Sequence, residues 1–149
     1  MDELADLNLK KSLIKQQACF TQLTDQEITE LSDLLKPVTA EAGETLVTEG
    51  DSVDSVYFII KGTAHVGHMT IKDRVAKFTA VATLNPGDSI GLNETGFYSV
   101  SGRRTATVVA IESMQLFRLS TAEFHGFALA RTHVSSVMRE NASTFSNTK

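Results

Sequence analysis

The sequence has little of what several protein classes require, since it contains one cysteine, no long apolar run and no dense cluster of basic residues. Cys19 alone cannot form an intramolecular disulfide bond. No stretch approaches the roughly 20 apolar residues of a membrane-spanning helix, and the acidic N-terminus MDELAD lacks the apolar core of a signal peptide. The net charge of −4 disfavours a nucleic-acid or anionic membrane surface. These absences predict a cytoplasmic protein.

Helical periodicity is confined to the two ends of the chain. Residues 4–17 are compatible with a first helix. Thr24 and Glu27 form a capping box, and the isoleucine and leucines that follow recur at helical spacing until Pro37. The helical period returns near the C-terminus and breaks near Thr132. We therefore expect helices on both sides of a central region with a different pattern.

The central region, from residue 38 to residue 120, consists of short β segments separated by glycines. These glycines are Gly43, Gly50, Gly62, Gly67, Gly87, Gly91 and Gly102. The pattern predicts a mainly β fold with flanking helices, in which two sheets form a jelly-roll barrel. We expect an N-terminal helix over residues 1–19 and one globular domain over residues 20–149.

A glycine-rich turn, a carboxylate and an arginine pair lie close together in this β-rich region. The first run is GDSIGLNETGF at residues 87–97, and the second is GRRTATV at residues 102–108. A cyclic phosphodiester on a ribose needs backbone N–H donors and a guanidinium for the phosphate, and a carboxylate that accepts a hydrogen bond from the ribose 2′-OH. The two runs contain all three groups.

Both runs resemble the phosphate-binding cassette of cyclic nucleotide-binding domains, as found in cyclic nucleotide-gated channels, protein kinase A regulatory subunits and catabolite activator proteins. GRRTATV is similar to the channel form. Upstream, AGETLV at residues 42–47, EGD at 49–51 and VYFIIKG at 56–62 resemble the opening strands of the same fold. The resemblance covers about residues 20–130. It implies a regulatory domain that binds cAMP or cGMP and needs no other cofactor.

The sequence departs from the family pattern where the ribose-binding glutamate belongs. Without a gap, Leu92 takes this position and removes the 2′-OH acceptor. With two residues inserted, Asn93 and Glu94 become the equivalents of the family's Gly-Glu pair. Glu94 lies ten positions before Arg104, within the family's usual range, whereas Leu92 lies twelve before it. Because asparagine readily adopts positive φ, Asn93 can replace the turn glycine, and we favour this second register.

In this register the resemblance implies six ligand-binding residues: Asn93, Glu94, Thr95, Gly96, Arg104 and Thr105. Arg104 and Thr105 would bind the phosphate, Glu94 the ribose, and Gly96 would let backbone N–H groups approach the ligand. Arg103 is interpreted as a solvated residue. The alternative for Glu94 is an ordinary acid at a helix N-terminus, where the helix dipole favours it.

The resemblance also implies that the last two helices convert ligand binding into movement, with the second folding over the base. Met138 or Phe145 would then supply an apolar lid over a purine. Alternatively, Met138 belongs to the core and Phe145 to a frayed tail. The competing functional hypothesis is a degenerate domain that kept the fold for protein contacts. In either case an effector domain or partner protein would receive the signal.

Two other classes are disfavoured by the sequence. A cupin-type metal site needs two histidines on one strand face, but His65 and His68 are three positions apart and face opposite sides. His125 and His133 belong to the predicted C-terminal helices, and no Cys or Ser nucleophile has a plausible base beside it. A DNA-binding helix pair would need further residues beyond Lys149. We therefore expect neither an enzyme nor a direct DNA-binding protein.

Overall fold

The computed structural model describes residues 3–93, 96–97 and 102–147. The helices are α1 (Glu3–Lys15), a 3-10 turn (Ala18–Phe20), α2 (Asp25–Ser32), α3 (Thr121–Leu129) and α4 (Thr132–Asn147). The first five strands are β1 (Lys36–Ala40), β2 (Thr45–Val47), β3 (Ser55–Lys61), β4 (Ala64–Lys72) and β5 (Val75–Leu84). The other five are β6 (Ser89–Ile90), β7 (Leu92–Asn93), β8 (Gly96–Phe97), β9 (Thr107–Ala110) and β10 (Met114–Ser120).

The strands form two four-stranded antiparallel sheets and one separate strand pair. The first sheet has the order β1-β10-β3-β6, and the second has the order β2-β9-β4-β5. Strands β7 and β8 pair only with each other in the described part of the chain. Two antiparallel sheets with flanking helices confirm the predicted mainly β jelly roll.

Strand β3 separates two apolar cores because its side chains alternate between the two faces of the first sheet. Val56 and Phe58 pack into a cluster with the helices, which also contains Phe20 and Phe124. On the opposite face, Ile59 packs into the core between the two sheets. The helices therefore rest on one face of the first sheet, and the second sheet covers the other.

Helix α2 begins as predicted but ends earlier. Thr24 Oγ1 accepts a hydrogen bond from the Glu27 backbone N–H at 3.1 Å, and Glu27 Oε1 accepts one from the Thr24 backbone N–H at 2.8 Å, which confirms the capping box. The helix ends at Ser32, so the prediction that it continues to Pro37 was wrong. Pro37 lies in β1, an edge strand, where a missing backbone N–H is tolerated.

The C-terminal helices break at the predicted place. Ser120 Oγ accepts a hydrogen bond from the Glu123 backbone N–H at 3.2 Å at the start of α3, and α4 begins at Thr132. Val134 and Val137 of α4 are buried in the core between the helices and the first sheet, which we call the helix-side core. Met138 packs against this core. Met138 is thus a core residue in this structure. The side chain of Phe145 lies outside the described residues.

Helix α4 is also joined to the N-terminal helices by a polar contact. Asn141 Nδ2 donates a hydrogen bond to the Cys19 carbonyl oxygen at 2.9 Å. Burial raises the pKa of the Cys19 thiol to about 12, so this cysteine is unreactive near neutral pH.

Within the described ranges, no helix combines the length and the apolar character needed to cross a bilayer.

Candidate functional site

A cavity of about 290 Å³ opens between the second sheet and the residues that precede β9. One wall is apolar and comes from Val47, Val66, Leu84 and Val108. The other wall comes from Gly91, Leu92 and residues 103–106. Its volume is close to the lower end of the ~300–1,000 Å³ range of small-molecule pockets. Both parts of the predicted cassette therefore meet at one concave site.

The arginine segment is fixed to the loop before β3 by backbone hydrogen bonds. The Arg104 backbone N–H donates to the Asp51 carbonyl oxygen at 2.7 Å, and the Gly50 N–H donates to the Arg104 carbonyl oxygen at 2.9 Å. The Val53 N–H donates to the Gly102 carbonyl oxygen at 2.8 Å. The EGD run at residues 49–51 therefore positions the backbone of Arg104, a role that the sequence pattern did not assign to it.

Arg104 is buried, with a side-chain exposed fraction of 6%. Its Nη2 donates a hydrogen bond to the Ser55 carbonyl oxygen at 2.6 Å and lies 3.9 Å from Asp54 Oδ1. Burial lowers the pKa of Arg104, and the nearby Tyr57, Asp54 and Asp51 oppose this shift. An arginine keeps its charge under such conditions. The site therefore contains a fixed, partly desolvated positive charge.

One nitrogen of this guanidinium has no hydrogen-bond partner among the described residues. Among the described residues, Arg104 Nη1 is the one buried side-chain nitrogen or oxygen that makes no hydrogen bond. Buried polar atoms are almost always paired, and an unpaired donor on a charged group is costly. Because Arg104 lines the cavity, an anionic oxygen bound there could accept this hydrogen bond.

Gly91 allows the end of β6 to pass close to this guanidinium. Its φ is +99°, and a Cβ atom added to it would lie 2.9 Å from Val56 Cγ1 and 3.0 Å from Arg104 Nη1. Any other residue would be strained by both the backbone angle and the contacts. Gly91 is therefore part of the site, although the favoured register gave the turn position to Asn93.

The structure differs from the favoured register at Asn93. This residue lies in β7 and pairs with Gly96 of β8, which requires extended backbone, so it does not have the positive φ of a turn glycine. Leu92, one position earlier, lines the cavity and packs against the helix-side core. Glu94 and Thr95, which separate the two strands, lie outside the described residues. Their predicted contacts with the ligand stay predictions.

The two phosphate candidates, Arg104 and Thr105, both line the cavity. Thr105 is exposed and lines the cavity beside Arg104. The next threonine, Thr107, is buried, and its Oγ1 accepts a hydrogen bond from the Glu49 backbone N–H at 3.0 Å. Arg103 is exposed, and its Nη1 donates to the Gly50 carbonyl oxygen at 2.9 Å. Arg103, Arg104 and Thr105 therefore all lie on the cavity wall, and Arg104 is the buried one of the two arginines.

A second cavity of about 370 Å³ adjoins Arg104 and has an acidic lining. Asp51 and Asp54 lie on its wall together with Tyr57. Carboxylates repel an anionic ligand, so this cavity is a poor phosphate site. Within the part of the chain that the structure describes, His, Cys, Asp and Glu form no group of three or more that could hold a metal ion.

Comparisons with known proteins agree with this architecture. Residues 37–131 match the family model of the cyclic nucleotide-binding domain. The chain is 36% identical over 89 residues to the Pycsar effector protein XpPycTIR of Xanthomonas perforans, covering 60% of this chain and 26% of that protein. It is 25% identical over 147 residues to the cAMP-dependent protein kinase regulatory subunit of Dictyostelium discoideum, covering 95% of this chain and 43% of that protein.

Solved structures share the fold at lower sequence identity. The N-terminal domain of a transcriptional regulator from Streptomyces coelicolor has a TM-score of 0.75 at 23% identity, with 91% of this chain and 93% of that chain covered. The regulatory domain of Toxoplasma gondii PKA, in co-crystals with cAMP, has a TM-score of 0.69 at 20% identity, with 85% and 46% covered. Since the family model matches more than half of the 149 residues, the chain belongs to the cyclic nucleotide-binding domain family.

Proposed function

We propose that this chain is a regulatory domain that binds cAMP or cGMP in the 290 Å³ cavity and passes the signal to its C-terminal helices. The observation that carries the proposal is Arg104, which lines the cavity and whose buried Nη1 has no hydrogen-bond partner in the described chain. A cyclic phosphate supplies the missing anionic acceptor. The co-crystals of the Toxoplasma gondii PKA regulatory domain with cAMP support this ligand class.

The remaining parts of a cyclic nucleotide fit the other walls of the cavity. Thr105 offers a hydroxyl and a backbone N–H next to Arg104, so both residues can bind the phosphate. The apolar side chains of Val66 and Leu84 on β4 and β5 suit the face of a base. For the ribose we keep Glu94 as the proposed carboxylate, with Asn93, Thr95 and Gly96 beside it.

The proposed output is a displacement of α4. Among the described residues, no side chain of α4 lines the cavity, and Val134 and Val137 are instead buried against the N-terminal helices. Ligand binding can displace α4 only if the nucleotide has a higher affinity for a second arrangement. The proposed arrangement has α4 closer to the base. The chain spans 26% and 43% of two curated relatives. The proposed receiver of this signal is another domain or a partner protein.

Calorimetric titration of the chain with cAMP, cGMP and linear AMP tests the proposal. We expect saturable binding of at least one cyclic nucleotide and much weaker binding of AMP, whose phosphate carries more charge and lacks the ring. No heat from either cyclic nucleotide at millimolar concentration would overturn the proposal.

A degenerate domain that serves protein contacts is the second candidate. The observation that favours it is Leu92, which lines the cavity at the gap-free position of the ribose-binding carboxylate. An apolar side chain there offers no acceptor to a 2′-OH. If this candidate is right, neither cAMP nor cGMP will protect any backbone amide of residues 87–108 from hydrogen exchange.

A further inference from the structure

Two side-chain contacts join helix α2 to the hinge between α3 and α4. Arg131 Nε donates to Glu30 Oε1 at 3.1 Å. His133 Nδ1 lies 2.8 and 3.0 Å from the two carboxylate oxygens of Glu27. Glu27 and Glu30 are three positions apart and so lie on the same face of α2. We call these pairs, Glu27–His133 and Glu30–Arg131, the hinge contacts.

Besides its pair with Glu30, Arg131 makes two contacts with Phe127. Its guanidinium carbon lies 4.0 Å from the centroid of the Phe127 ring, and its Nη1 donates to the Phe127 carbonyl oxygen at 3.2 Å. Four residues further along, Ser135 Oγ donates to the Ala128 carbonyl oxygen. These contacts therefore join the end of α3 to the start of α4, and the hinge contacts join both to α2.

We propose that the hinge contacts hold α4 against the N-terminal helices and thereby lower the affinity of the cavity for its ligand. This inference rests on the proposed function, in which α4 leaves its present position when nucleotide binds. Contacts that exist only in the docked arrangement oppose this movement. Apparent affinity scales with the fraction of molecules in the competent arrangement. Weakening the hinge contacts should therefore raise the affinity of the cavity for the nucleotide, although none of the four residues lines the cavity.

Solvent exposure of these side chains limits how much the hinge contacts can change the nucleotide affinity. The side chains of Arg131 and Glu30 are 32% and 38% exposed, so water screens this pair. Glu27 is 13% exposed but His133 is 51% exposed, so water screens this pair as well. Two such pairs should change the apparent affinity by about two- to tenfold.

The test is the double variant Glu27→Gln, Glu30→Gln. Glutamine at residue 27 can still accept the Thr24 backbone hydrogen bond, so the capping box survives while the charge is lost. Glu123→Gln is the matched control, because it removes one charge from the exposed start of α3 without touching α2. Hydrogen exchange of the ligand-free chain and calorimetric titration with cAMP and cGMP are the measurements. A single His133→Gln variant covers the case in which the double variant fails to fold.

We expect faster exchange in α4, unchanged exchange in the strands, and two- to tenfold tighter nucleotide binding than in the parent and the control. Unchanged or weaker binding, or parent-like exchange in α4, would overturn the inference. If the parent binds neither nucleotide, the proposed function is wrong, whatever the result for the hinge contacts. Exchange in α4 then decides whether the hinge contacts hold this helix.

Discussion

The backbone of Gly91 lies against the guanidinium of Arg104 so closely that a Cβ on the glycine would stand 3.0 Å from Nη1. This approach joins the two halves of the cassette, one at the end of β6 and the other before β9. It also contributes to the burial of Nη1. The phosphate site therefore depends on a residue without a side chain.

We expect Gly91→Ala to lower the free energy of unfolding by about 1–3 kcal/mol and to weaken nucleotide binding. The φ of +99° strains any side chain, and the new methyl group would press on Val56 and Arg104. Gly43→Ala is the matched control, because its φ is +89° but a Cβ there would meet nothing within 4 Å. Chemical denaturation and calorimetry of both variants separate backbone strain from contact. Equal nucleotide affinity in the two variants would contradict the role of Gly91.

The two registers of the cassette predict opposite effects of two substitutions. If Glu94 binds the ribose 2′-OH, Glu94→Ala should weaken binding strongly, and Leu92→Glu should not restore it. If Leu92 occupies the carboxylate position, Leu92→Glu should create or strengthen binding, because a carboxylate then lines the cavity. Titration of both variants with the same nucleotide decides between them. If neither substitution changes the affinity, no carboxylate contacts the ribose.

The sequence predicted what depends on local chemistry. The capping box at Thr24 and Glu27 is satisfied within four residues, so its signal is complete in the local sequence. The glycine-punctuated β segments likewise predicted two sheets. The end of α2 was misplaced because Pro37 is also acceptable in an edge strand.

The site depends more on contacts between distant residues, which the sequence did not reveal. The burial of Arg104 results from the Ser55 carbonyl, 49 positions earlier, and from the close approach of Gly91. The positive φ at Gly91 and the pairing of Asn93 with Gly96 are set by how β6 meets the first sheet. The family pattern can be aligned to this sequence with or without a two-residue gap. The sequence alone therefore could not show which backbone geometry residues 91–96 adopt.

Displacement of α4 is measurable with two spin labels. Thr83→Cys on β5 and Ser136→Cys on α4 place labels at exposed positions, the first beside the cavity residue Leu84. Cys19 should not compete for the label, because burial raises its pKa to about 12. We expect the distance between the labels to shorten when saturating nucleotide is added. A distance distribution that nucleotide leaves unchanged would contradict movement of α4.

Acid should weaken the fold partly through Glu27. Burial alone would raise the pKa of this carboxyl, but the hydrogen bonds from the Thr24 backbone and His133, together with the His133 charge, lower it below its ordinary 4.5. A carboxyl whose pKa is lowered in the folded state stabilises the fold above its unfolded pKa and loses that contribution as the pH falls through the folded value. Denaturation at pH 6 and at pH 3.5 should therefore show a larger loss of stability in the parent than in Glu27→Gln. A variant with the same loss would contradict this linkage.

Calorimetric titration of Arg104→Ala and the parent with cAMP and cGMP tests whether Arg104 binds a cyclic phosphate. Arg103→Ala is the comparison, since Arg103 also lies on the cavity wall but is exposed and donates to the Gly50 carbonyl oxygen. We expect Arg104→Ala to weaken binding of the preferred cyclic nucleotide by about 1.5–3 kcal/mol, the range for a hydrogen bond to a charged group, and Arg103→Ala to have a smaller effect. The thermal unfolding of both variants should show an intact fold. Equal affinity in Arg104→Ala and the parent would contradict the account.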